Sequence, residues 1–305
     1  MKRPDPRELY ELLPDRPELD SPVLVQALDG FIDAGSATRL ARAHLLEQPG
    51  ARVVARFDTD SLHDYRARRP VMLFAEDHWE SYEAPELAVH LVHDEAGTPF
   101  LVLAGPEPDV QWERFVEAVT QIVRALGVRL VVGLNAIPMS LPHTRPVGLI
   151  AHGTRRELIE GPEPWVGTVT VPASAGHLLE YRLGQAGIDA VGFAAHVPHY
   201  VAQAEFPAAA AALVRQLGVS TGLLLPTAAL DEAAARTRVD IDEQVSQSAE
   251  VQEVVRALEE QYDSFVAGQD RSLLAGDAQM PSADELGAEL ERFLAEQPKG
   301  DGPAV

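Results

Sequence analysis

The sequence predicts an α/β fold: a three-layer α/β/α arrangement around a mostly parallel, mixed sheet, followed by a helical C-terminal extension. Three observations carry this. Short apolar, β-branched runs such as Val23-Leu24-Val25-Gln26-Ala27-Leu28 recur over the first 225 residues, as expected of strands buried on both faces. Segments with helical spacing alternate with them, the rhythm of a sheet covered by helices on both sides. Beyond Pro226 the strand pattern stops and acidic, helix-forming sequence takes over.

The elements follow in order. Residues 1–20 hold four prolines and mixed charge and read as an arm over the surface. Val23–Leu28 is a strand. Ala34–Gln48 is a helix stopped by Pro49-Gly50, and Ala51–Phe57 is the second strand. Val71–Phe74 and Leu87–His93 are strands, and the latter turns through Asp94-Glu95-Ala96-Gly97 into Pro99–Leu103 as an antiparallel hairpin. Val110–Leu126 is an amphipathic helix capped by Gly127. Leu130–Leu134, Val147–Ala151 and Val166–Val171 are strands. Gly176–Gln185 is a helix, Ala190–Ala195 a strand, and Pro207–Leu217 a helix with proline in its first turn and Gly218 after its end. Thr221–Leu225 is a final strand or a buried turn. Val251, Val254, Val255, Leu258, Tyr262 and Phe265 mark an amphipathic helix. Ser282-Ala-Asp-Glu285 forms a capping box before another helix, with 268–281 as a link. This gives an N-terminal arm (1–20), an α/β core (21–225) and an acidic helical extension (226–305).

Composition narrows the function classes. The 305-residue chain has no cysteine, so disulfides and cysteine-based metal or nucleophile chemistry are excluded. The N-terminus carries charges and prolines where a secretory signal needs an apolar run, and no long uncharged apolar stretch occurs. A cytoplasmic protein without membrane spans is the expectation. The net charge of −22 opposes nucleic-acid and anionic-lipid binding. From Asp240 onward, 16 acidic residues face 4 basic ones, which sets the extension apart. Arg66, Arg68 and Arg69 form the densest basic cluster and read as solvated surface.

Ligands of open α/β sheets bind beyond the carboxyl ends of parallel strands. Four such ends carry polar, Gly/Pro-rich turns that would converge on one edge. They contribute Asp29, Gly30 and Asp33; Gly105 and Glu107; Asn135, His143, Thr144 and Arg145; and His196, His199 and Tyr200. Asp33 reads as a helix N-cap or, alternatively, as an anion sensor or base. Arg145 with His143 could grip an anion, or Arg145 could pair with a structural carboxylate. His196 and His199 are three apart across Pro198, which disfavours a two-histidine metal face, so no metal site is expected. No P-loop, dinucleotide fingerprint or nucleophile elbow is present. No cofactor is called for, and no complete catalytic set can be read.

Together, Gly30-Phe-Ile-Asp-Ala-Gly35, Leu103-Ala-Gly-Pro-Glu-Pro108 with Trp112 and Phe115, Pro138-Met-Ser-Leu-Pro-His-Thr-Arg-Pro146 and Val197-Pro-His-Tyr-Val201 resemble the proteasome assembly chaperone two (PAC2) family, in its actinobacterial branch. The resemblance runs from about Pro22 to Leu225. It implies a fold similar to purine nucleoside phosphorylases. It also implies self-assembly into a homo-oligomer, for which a trimer is one option, and proteasome subunits as partners. Chaperone relatives often end in a hydrophobic-Tyr-any tripeptide, whereas this chain ends Pro303-Ala304-Val305. The expectation is a non-catalytic assembly or interaction protein. The alternative is a metabolite binder or enzyme of nucleoside phosphorylase- or hydrolase-like type at the strand edge.

Overall fold

The computed structural model describes residues 4–159 and 167–268. Ten strands and six α-helices follow in chain order: β1 (Tyr10–Leu12), β2 (Val23–Asp29), α1 (Ala37–Leu46), β3 (Arg52–Phe57), β4 (Met72–Ala75), β5 (His78–Tyr82), β6 (Ala88–His93), β7 (Pro99–Pro106), α2 (Trp112–Ala125), β8 (Leu130–Met139), β9 (Leu149–Gly153), α3 (Ala175–Gln185), β10 (Ala190–Pro198), α4 (Pro207–Thr221), α5 (Ala228–Ser246) and α6 (Ala249–Gly268). Eight strands form one sheet in the order β1-β3-β6-β7-β2-β8-β10-β9. Its centre, β7-β2-β8-β10, is parallel throughout. The flanking pairs are antiparallel. The mixed α/β sheet matches the expected fold class.

Alternation along the strands explains the layers. On β2, Val23, Val25 and Ala27 face one side and join Ala37, Ala41 and Leu45 of α1 and Ala210, Leu213 and Leu217 of α4 in one core. Leu24 and Leu28 face the other side, with Phe115, Val119 and Ile122 of α2 and Leu179 and Leu183 of α3. Both cores exclude water almost completely, and each buried Leu or Phe contributes about 1.5–3 kcal/mol. Leu230 and Ile241 of α5 extend the α1/α4 core.

Several expectations need correction. The strands β8 and β10 run on to Met139 and Pro198, because Asn135–Met139 pairs in parallel with Ala194–Pro198. Asn135 and His196 are therefore strand residues, as are Asp29 and Gly105. The helix α4 continues through Gly218 and ends where Gly222 adopts φ 80°, the left-handed cap that glycine favours. Thr221 closes α4 and Leu223 is buried just after it, so of the two readings of 221–225, a final strand or a buried turn, the strand is not the one observed. Residues 167–171 form no strand either. Of the apolar stripe on α6, Val255 and Leu258 are buried while Val251 and Val254 are exposed. The remainder of the Val166–Val171 prediction, the Ser282–Glu285 capping box with its helix, the link after Gly268 and the C-terminal tripeptide lie outside the described residues.

The Val71–Phe74 prediction holds as a strand but not as part of the main sheet. β4 pairs only with β5, a strand the sequence pattern did not reveal, in a separate antiparallel ribbon. Val71, Met72, Leu73, Phe74, Trp79 and Tyr82 are all about half exposed or more on it.

Candidate functional site

Because β7, β2, β8 and β10 are adjacent and parallel, their carboxyl ends share one edge. A cavity of about 390 Å³ opens there, on the face covered by α3. Its floor is set by strand register. Gln26 lies beside Gly133, Gly133 beside Gly192, and Gly192 beside His152. Two glycines thus leave a trough between a carboxamide and an imidazole. The imidazole of His152 leans over Gly192, where a Cβ would come within 2.1 Å of it. In the next row, Asn135 pairs with Ala194 and Ala194 with Ile150. Gly176, His177 and Glu180 of α3 form the roof, and Phe31, Ile32, Val169 and Val171 line the mouth.

The polar groups of the cavity are largely locked. Ser174 caps α3 by accepting from the His177 N–H. Glu107 accepts from the Ala175 N–H at 2.5 Å. Burial pushes its carboxyl up from the ordinary range, against the lowering effect of the Ala175 and Phe31 N–H groups. His152 Nδ1 donates to Glu180 at 2.9 Å. Asn135 Oδ1 accepts from the Ala136 N–H, so its amide nitrogen faces His177 Nε2 at 3.4 Å. His177 stays reachable through the mouth, yet desolvation by the walls, then the neighbouring His152, lowers its pKa, keeping it neutral at pH 7. Gln26 is only 9% exposed and lines the cavity without a hydrogen bond from its carboxamide among the described residues, and the Thr38 hydroxyl, also in the lining, is buried with no partner there.

Of the residues singled out in the sequence, Gly30, Glu107 and Asn135 line this cavity. Four others build structure around it. Asp29 pairs with Arg42 at 2.7 Å. Asp33 caps α1, its carboxylate accepting from the Thr38 and Arg39 N–H groups. Gly105 has φ 129° and passes against the backbone of Glu86 and Leu87. His196 is buried, with Nε2 unpartnered. Arg68, from the basic cluster, is also structural: it pairs with Asp109 and donates to the Glu107 carbonyl.

His143, Thr144, Arg145 and Tyr200 form a clamp on the C-terminal helices. Tyr200 donates to His143 Nδ1 at 2.6 Å, and His143 Nε2 donates to Asp242 of α5 at 3.0 Å. Burial pushes the Tyr200 phenol up to about 12. Burial would raise Asp242, but hydrogen bonds from His143 and Arg238 hold it low. Thr144 donates to Glu259, and Arg145 makes a two-pronged contact with Asp263 at 2.7 and 2.8 Å. The carboxylate-pairing alternative for Arg145 is the one observed. His199 is exposed and touches only the Tyr200 ring edge among the ring contacts. Arg145→Ala should loosen α6 selectively. Amide exchange over 249–266 should speed up by roughly three- to ten-fold, with the sheet unaffected, as hydrogen-exchange mass spectrometry would show.

Gln26, His152, His177 and Glu180 escaped the sequence reading. A polar residue inside an otherwise apolar strand run was the available signal for Gln26. The others come from separate elements and meet only through register. Among the described residues, no group of three or more His, Asp or Glu side chains is placed to hold a metal, and no helix is long and apolar enough to cross a membrane.

The PAC2 family model matches residues 27–245. Among solved structures, a Mycobacterium tuberculosis protein of unknown function is 49% identical, with a TM-score of 0.83 over 88% of this chain and 95% of that one. A Corynebacterium glutamicum protein of unknown function is 38% identical, with a TM-score of 0.83 over 87% and 100%. A Mycobacterium tuberculosis proteasome-assembly chaperone homologue is 27% identical, with a TM-score of 0.68 over 76% and 99%. No curated protein matches the chain significantly.

Proposed function

Since this chain belongs to the PAC2 family, we propose that it is a non-catalytic, assembly-chaperone-like interaction protein that self-associates through the β4–β5 ribbon. Its relative described as a proteasome-assembly chaperone homologue supports that type of role, and proteasome subunits are the partner class to test. The observation that carries the reading is the ribbon itself. Two-stranded ribbons are marginal in water unless something covers them. This one presents Met72, Leu73, Phe74, Trp79 and Tyr82 to solvent, with the Phe74 and Trp79 rings packed edge-on at 5.0 Å. Contiguous apolar patches of this kind mark protein contacts, and buried aromatic anchors dominate such contacts.

A second copy is the occupant because the exposed Met72, Phe74 and Trp79 side chains are apolar. Glu76, Asp77 and Glu80 lie on the same ribbon and would stay at the solvated rim of such a contact. Sedimentation velocity should find an oligomer, and the double variant Phe74→Ser/Trp79→Ser should weaken it by at least about 100-fold with an unchanged circular dichroism spectrum. A wild-type chain that stays monomeric at all concentrations would refute self-association. Affinity capture at native expression that recovers no proteasome subunit would refute that partner class. A phosphorylase-like activity is disfavoured, because among the described residues no Lys or Arg lines the strand-edge cavity to hold a phosphate.

A further inference from the structure

We propose that the cavity over Gly133 is a binding site for a neutral, planar, lactam- or amide-edged ring compound whose polar edge pairs with the Gln26 carboxamide. This goes beyond the assembly role, and neither reading requires the other.

Four observations lead there. First, the cavity volume of about 390 Å³ lies in the range of small-molecule sites, which are mostly apolar with a few placed polar groups. This lining has that character: Leu28, Phe31, Ile32, Ile137 and Ile150 surround a small polar set.

Second, two polar members of the lining make no hydrogen bond among the described residues: the Gln26 carboxamide and the buried Thr38 hydroxyl. Glu107, Asn135, His152 and Glu180 all have protein partners. Gln26 has none among the described residues although it is nine-tenths buried. The Gln26 carboxamide faces the cavity, so its partner comes from whatever occupies the cavity, water or ligand. A carboxamide offers one donor and one acceptor side by side in a plane. A lactam or amide edge presents the complementary pair.

Third, no side chain of the flanking residues fills the space beside Gln26. A Cβ on Gly176 would approach both carboxamide heteroatoms to 3.0 Å, and one on Gly133 would approach Oε1 to 3.2 Å. With glycine at both places the backbones of β8 and α3 lie close to the carboxamide, and the narrow trough that continues over Gly192 suits a ring rather than a branched chain.

Fourth, charge selects against anions. Among the described residues no Lys or Arg lines the cavity, whereas Glu107 and Glu180 do. Phosphates, carboxylates and sulfates would enter without a counter-charge, at a desolvation cost nothing here offsets.

The test uses the full chain and three bicyclic probes of similar size: quinolin-2-one (a neutral lactam), naphthalene (no hydrogen-bonding edge) and 2-naphthoate (an anion). Ligand-observed NMR and calorimetry should show saturable binding of quinolin-2-one, at least about ten-fold weaker binding of naphthalene, and none of 2-naphthoate. Gln26→Leu keeps the apolar volume and should reduce quinolin-2-one binding to the naphthalene level. If that variant does not fold, Ile32→Trp at the mouth blocks entry without disturbing the sheet, and it should abolish binding of both neutral probes. The proposal is overturned if quinolin-2-one does not bind, if the anion binds as well, if Gln26→Leu binds quinolin-2-one unchanged, or if Ile32→Trp does.

Discussion

Gly105→Ala is expected to prevent the native fold. The residue lies inside β7 at φ 129°, a conformation closed to side-chain-bearing residues without strain. A methyl group would also sit 2.2 Å from the Glu86 carbonyl oxygen and 2.8 Å from Leu87 Cα. Both are backbone atoms immediately before β6 and cannot swing aside, so β6 would have to leave its register with β7. We expect a loss of at least ~4 kcal/mol, a large part of the total stability of a typical domain. Gly97→Ala separates the two causes. Gly97 also has positive φ, 79°, but nothing lies within 4 Å of the added methyl. It should cost about 1 kcal/mol. Soluble yield and urea unfolding of the two variants would check this. Equal behaviour would mean that the close approach to Glu86 is not what matters.

The second large effect is acid destabilisation through His196. Burial, with no compensating charge, pushes its pKa down from 6.5 to about 4. In the unfolded chain the same imidazole takes a proton near pH 6.5. Between these values the unfolded state binds more protons, so stability is full above pH 6.5 and falls as pH drops towards 4. The shift corresponds to ~3 kcal/mol across that window. His90 and His177 are shifted in the same direction, each mainly by desolvation, and add to the slope. Denaturant midpoints measured from pH 7.5 to 4.5 should decline, and His196→Leu should remove much of the decline. An unchanged slope in that variant would place the effect on other groups.

How much of this was legible in the sequence depends on what fixes each feature. The cores of β2, β7, β8 and β10 were legible because burial on both faces demands continuous apolar runs, and β3 and β6 were legible from shorter β-branched runs bounded by turn residues. Their ends were not. Asn135–Met139 and His196–Pro198 look like loop sequence, but each segment supplies the other's parallel partner, and pairing overrides composition. The ribbon was half legible: Met72-Leu73-Phe74 reads as a strand, but nothing local says that its mate is His78–Tyr82 rather than the main sheet.

The site followed the same division. The shared strand edge was deducible from topology, and the Asp33 cap from its place before a helix. The separation of His143, Thr144 and Arg145 from Glu107 and Asn135 was not, because it depends on Asp242, Glu259 and Asp263 arriving from more than 90 residues away. The row Gln26-Gly133-Gly192-His152 is a property of register across four strands, and no single segment carries it.

The margins of the eight-stranded sheet bear on how copies of this protein can meet. One margin is β1, three residues long, and the other is β9, five residues long. Each offers few free N–H and C=O groups, and short edge strands of this kind resist templated growth. Hydrogen-bonded extension from molecule to molecule, the route to open-ended stacking, is therefore closed at both flanks. The self-association proposed above would then rest on side chains, whose shape and chemistry can limit an assembly to a finite number of copies.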